Sequence, residues 1–214
     1  MKDFLHARLN EYKDKYSELI SSVEKNYKTT IWGMGIMPSY SPAPYMSELQ
    51  GCKPGHFFKK KSEPAKNRQR YFLNEDNKII GELKFAKYVT IKKQWIVYRR
   101  FFLHEADQTL ELTFGSELNG NLEANLDSVS LIKFLNDKPI GHYCLNNTGE
   151  YFETLYKYNA DKITSITEKI WRSTFTERFY EINHADDSLT IFEILTDNSK
   201  LKIYPEECLT RSNS

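Results

Sequence analysis

The sequence predicts a mainly β protein (α+β by content): a large antiparallel meander, open or barrel-like, preceded by one N-terminal amphipathic helix. Three observations predict it. From Arg70 onward, apolar and polar residues alternate in short runs, the period-2 signature of strands. Clusters of Asn, Asp, Gly and Lys separate the runs, and such residues favour tight turns. Aromatics are abundant, with 14 Tyr, 13 Phe and 3 Trp, and flat rings pack well across neighbouring strands.

The elements follow in order along 1–214, which reads as a single domain. Leu5, Leu9, Tyr12, Tyr16, Leu19, Val23 and Tyr27 recur at steps of four and three. That stripe predicts one helix over 2–27 lying on the sheet. Residues 28–69 carry Pro38, Pro42, Pro44, Pro54 and Pro64 and read as a long covering loop. Within it, "IWGMGIMPSYSPAPYMS" holds no acid or base. This stretch is too apolar for a solvated loop and reads mainly as a cover packed on the meander. As a surface read by a partner, it would offer Tyr40 and Tyr45 as anchors.

Residues 70–204 contain eleven candidate strands: RYFLN, KIIGELKFAKY, QWIVYRRFFLH, TLELTFG, SVSLIKFL, IGHYCLNN, YFETLYKYN, KITSITEKIWR, TFTERFYEIN, SLTIFEILT and KLKIY. Their links are too short for parallel crossovers, so sequential antiparallel pairing is expected. Large residues fall on both strand faces, so both faces need cover, and the helix and the proline-rich loop are the candidates. Residues 205–214 read as a tail.

Charge is strongly segregated under a net +1. Residues 53–100 hold 14 Lys and Arg against 4 acids, whereas 101–132 hold six acids and no Lys or Arg. One reading is opposite-charge matching between antiparallel neighbours. The other is steering of a charged partner by Glu111, Glu117 and Glu123. The run "HFFKKKSEPAKNRQR" interleaves rings with bases as nucleic-acid surfaces do, but the small net charge argues against nucleic acid as the partner.

No motif assigns a reaction. Gly33-Met34-Gly35 lacks the third glycine and the following helix of a dinucleotide fingerprint. The remaining signals are sparse. His142 and Cys144, two apart on a strand, share a face, which a nucleophile and its base require, though a core Cys beside a hydrogen-bonded His is the commoner arrangement. No metal-ligand spacing is present, and no catalytic residue, metal or cofactor is expected. The N-terminus "MKDFLHARLNEYKDKY" is charged throughout, unlike a secretory signal. No apolar run reaches the length of a bilayer span, so a cytoplasmic location away from membranes is expected.

"YFLNEDNKIIGEL", "YKYNADKITSIT" and "YEINHADDSLTIFE" share an aromatic–x–apolar–Asn–turn–apolar pattern. It resembles the units of tyrosine–aspartate repeat proteins and of antitoxin-like β-meanders, without their regular glycine. An aromatic-rich, motif-free chain with an acidic stretch resembles the orphan bacterial immunity proteins of polymorphic and contact-dependent toxin systems. That resemblance implies a non-enzymatic protein that neutralises a cognate toxin domain by protein–protein contact. The alternative is a closed up-and-down barrel holding a small apolar ligand.

Cys52, Cys144 and Cys208 are odd in number and far apart, with no C-x-x-C pair, so three free thiols are expected. Thiol titration under denaturing, non-reducing conditions should count all three; a lower count would mean a disulfide.

Overall fold

The structure is a computed structural model that describes residues 1–117, 123–185 and 188–205. The tail beyond Pro205, Cys208 within it, and Asp186 and Asp187 of the expected turn "HADD" lie outside the described residues. Two helices, α1 (Lys2–Tyr12) and α2 (Tyr16–Asn26), precede the sheet. The single helix predicted over 2–27 is therefore corrected to two. Lys13, Asp14 and Lys15 interrupt it and offer no apolar side chain to the sheet. The break lets each half dock separately: α1 lies on strands near the middle of the sheet, and α2 buries Tyr16, Leu19, Ile20 and Val23.

The strands are β1 (Thr29–Met34), β2 (His56–Phe57), β3 (Arg68–Leu73), β4 (Ile79–Val89), β5 (Gln94–His104), β6 (Gln108–Ser116), β7 (Leu126–Leu135), β8 (Lys138–Asn146), β9 (Tyr151–Asn159), β10 (Lys162–Trp171), β11 (Phe175–Ala185), β12 (Ser188–Ile194) and β13 (Lys200–Tyr204). They form one antiparallel sheet in the order β13 to β3 consecutively, then β1 and β2. The eleven strands expected in 70–204 are all present. The loop expected over 28–69 is corrected at its ends, because β1 pairs along the whole of β3 and β2 pairs with the end of β1. Among the described residues the order has two unpaired ends, so the sheet is open rather than a closed barrel.

Turn chemistry sets the hairpins. The Asn74 Oδ1 accepts from the Asp76 and Lys78 amides, and the Asn146 Oδ1 does the same for Thr148 and Glu150. Side-chain acceptors of this kind stand in for backbone partners in tight turns.

Helices and loop cover opposite faces, as the two-sided apolar pattern requires. On one face, α1 and α2 pack over Phe72, Phe101, Leu110, Leu112, Phe114, Val129, Leu131 and Leu145. On that side α1 packs chiefly on β7 and β8, and the buried cluster ends at Tyr151 of β9, with Trp171 of β10 partly buried against it. The opposite face is crossed by residues 35–55, which leave β1 and run as a strap toward β13. Tyr40 packs edge-on against Tyr71 and Phe102, and Tyr45 and Leu49 pack on Ile163, Tyr180, Ile182 and Ile191. At the strap's root a Cβ on Gly33 would lie 2.3 Å from the Ser39 Oγ, and one on Gly35 2.6 Å from the Gly55 Cα. The Gly-Met-Gly sequence thus serves close chain crossing.

Leu112 is fully buried between helices and sheet. Leu112→Ala should cost about 2–5 kcal/mol, since cavity and transfer terms add; urea denaturation with an unchanged m-value checks it.

Candidate functional site

The largest concentration of buried charge lies beneath the strap. Glu82, Arg100 and Glu111 come from β4, β5 and β6, and their side chains meet on the strap face. The Arg100 Nε donates to the Glu82 Oε2 at 2.6 Å, and its Nη1 to the Glu111 Oε1 at 2.9 Å. A further Nη2 contact joins Glu82, and the same nitrogen donates to the Tyr40 carbonyl at 2.9 Å. Burial raises the Glu82 carboxyl above its ordinary range, and Arg100 pulls it back only in part. The triad is a latch that ties the strap to the sheet. All three Arg100 nitrogens are engaged in it.

His142 and Cys144 do share this face, as their spacing predicts, but both are held uncharged. Burial pushes the imidazole down and the thiol up. A neutral buried thiol is a poor nucleophile. Among the described residues, no group of three or more His, Cys, Asp or Glu could hold a metal ion.

The acids singled out from the sequence are divided by the fold. Glu111 belongs to the latch. Glu117 accepts from the Arg99 Nε and the Tyr16 hydroxyl, each at 3.0 Å, so it anchors α2. Glu123 is exposed. Tyr40 and Tyr45 turn their rings toward the sheet, and burial raises the hydroxyl pKa of both. These five residues do not form one surface.

A surface that the sequence reading did not single out lies on the helix side of β9–β12, past the reach of α1. Cross-strand register sets its rows. Tyr151, Trp171 and Phe175 are successive partners, with ring centroids 5.2 and 5.1 Å apart. The row runs out of the core, for Tyr151 is 4% exposed and Phe175 is 55% exposed. A second row on the same face joins Leu155, Thr167, Phe179 and Ile194, with Phe179 48% exposed. Between and beside the rows, Lys169 pairs with Glu177 at 3.6 Å and Lys200 with Glu181 at 2.7 Å. Hydrogen bonding from Lys200 lowers the Glu181 carboxyl. Exposed rings grouped on one face mark an interaction site more strongly than scattered ones. The run FTERF, exposed at all five positions, carries a signal only once the length of the covering helices is known.

Among the described residues no helix is long and apolar enough to cross a membrane. No protein-family model, curated protein or solved structure matches the chain.

The latch makes a sign-specific prediction. Arg100→Met leaves two carboxylates without their cation and should cost about 3–5 kcal/mol at neutral pH. A carboxyl raised in the folded state contributes stability below its unfolded pKa and loses it as pH rises through the folded value. The deficit of the variant should therefore shrink toward about pH 4, where carboxylates take up protons. Urea midpoints of both proteins across pH check this; a deficit independent of pH would mean that the carboxylates are not the cause.

Proposed function

We propose that this chain is a non-enzymatic binding protein of the bacterial immunity class, which neutralises a cognate toxin domain by protein–protein contact through the uncovered face of β9–β12. The observation that carries the reading is the pair of apolar rows around Phe175 and Phe179, left bare on a face whose other half is covered by helices. An apolar centre flanked by paired charges has the layout of a protein interface. A phosphate-binding surface would instead carry a large unpaired positive excess. The ion pairs Lys169–Glu177 and Lys200–Glu181 supply a polar rim of both signs. The small-ligand alternative has less support, because the sheet is open and its strap-covered face is filled by Tyr40, Tyr45 and Leu49.

The reading also alters which acids are the useful ones to test. Glu105, Asp107 and Glu123 are exposed and can steer an approaching basic domain, whereas neutralising Glu111 or Glu117 would disturb the latch or the α2 anchor.

The test is co-expression with the toxin domain encoded beside this chain, together with direct binding measurements. Wild type should protect cells, and Phe175→Asp with Phe179→Asp should abolish protection and weaken binding by about a hundredfold or more, as removal of central anchors does. Circular dichroism of the variant should match wild type, since both rings are largely exposed. Full protection by a folded double variant would remove this face from the interface. Failure of wild type to protect would remove the immunity reading.

A further inference from the structure

We propose that the outer edge of β1 is a docking site for an acidic extended segment of a partner protein, which adds to the sheet as a further strand. The site is separate from the β9–β12 face and does not depend on it.

The first observation is an unfinished edge. β2 pairs only with Gly33 and Met34, although the Phe58 amide still donates to the Trp32 carbonyl at 2.7 Å. The Gly35 amide donates inward to the Asn67 carbonyl, so over 30–35 odd-numbered residues face β3 and even-numbered ones face outward, whereas the Lys28 amide bonds inward to the Leu73 carbonyl at 2.7 Å. By that alternation Thr30 turns its N–H and C=O outward. Among the described residues no strand lies beside it. Unpaired backbone groups on an edge strand, here those of Thr30, are a template for an incoming strand.

The second observation is charge. A groove of about 390 Å³ at this edge is lined by Tyr27–Trp32, Phe58–Lys61 and Arg70. Its lining holds Lys28, Lys59, Lys60, Lys61 and Arg70 and no acid. Lys28 has Glu75 at 3.5 Å, a contact between two well exposed side chains. Arg70 lies over the rings of Trp32 and Phe72, and its Nε has no hydrogen-bond partner. Trp32 is 5% exposed, and its indole Nε1 likewise lacks an acceptor. Buried donors are almost always paired, so this corner of the fold lacks acceptors. A carboxylate-bearing strand supplies them.

A single-stranded nucleic acid is the other polyanion to weigh, and the geometry disfavours it. Base binding needs free aromatic faces. Here Trp32 stacks on Phe85 at 5.9 Å with the rings 12° apart, and Tyr27 stands edge-on to Phe72. Trp32 is thus closed to a base, and Tyr27, though 39% exposed, is a single ring rather than a series of stacking platforms. Backbone pairing together with carboxylate–lysine contacts fits what is left available.

The probe is a fluorescent peptide alternating glutamate with threonine, titrated onto the full chain. Three comparisons accompany it: the same peptide N-methylated on alternate amides, an oligothymidylate of matched charge, and inorganic phosphate. The expected result is saturable binding that weakens with salt, with a loss of about tenfold or more in K59Q/K60Q/K61Q, whose three side chains are exposed. The N-methylated peptide should bind at least about tenfold more weakly, since it cannot complete the ladder. Hydrogen exchange at the Thr30 amide should slow in the complex. Equal binding by the N-methylated peptide, tighter binding by the oligothymidylate, binding unaffected by the lysine substitutions, or no binding at all would each overturn the proposal.

Discussion

One constraint organises this molecule: a single sheet, of thirteen strands among the described residues, carries large apolar side chains on both faces and must be covered twice. Eleven strand-to-strand steps separate β1 from β13 in the sheet order, a path of about 53 Å at the usual strand spacing. Residues 35–51 would scarcely span that distance fully extended, at about 3.4 Å per residue. They are not extended, since they include bends, turns and the 3₁₀ turn Glu48–Gln50. Yet Gly51 reaches the Ile203 carbonyl. The sheet therefore curls around the strap, as open sheets of this width do.

That curl explains why ionised groups are buried at the centre. The strap brings polar backbone across a face that itself buries Gln69, Thr109, Ser130, His142 and Thr154, and each group of it needs a partner. Arg100 meets the Tyr40 carbonyl, Lys84 the Ile36 carbonyl, Gln69 the Gly35 carbonyl, and the Tyr71 hydroxyl accepts from the Ser39 amide. Glu82 and Glu111 then balance Arg100. The latch is a consequence of crossing the sheet, and that crossing accounts for the burial of its charged groups.

The meander was legible because local rules govern it. Alternation marks each strand, and Asn74, Asn146 and Asp197 mark turns by bonding their own backbone. β1 was hidden because Thr29–Met34 is six residues long and runs straight into glycine and proline, and β2 because it is only two residues long. The break between the helices was hidden because Tyr12 and Tyr16 keep the apolar stripe in phase across Lys13–Lys15. The charge segregation was half legible. Opposite charges do meet across β4, β5 and β6, as Glu82–Arg100–Glu111 and Arg99–Glu117 show. Which acids turn inward was not readable, because bulges near Phe85, Tyr98 and Thr113 shift the two-residue alternation.

The uncovered part of the helix face follows from the same arithmetic. Two helices of eleven residues each are about 16 Å long apiece, enough for the strands from β3 to β8 but not for the five beyond. A bare sheet face with a free edge invites indiscriminate pairing. Here Lys200 and Lys202 stand on the edge strand, Glu177 sits between the exposed Phe175 and Phe179, and Glu181 lies beyond Phe179 on the same face. An incoming flat apolar surface would have to desolvate those charges without replacing their partners, which costs more than the rings return. A partner that presents its own charges in register avoids that cost.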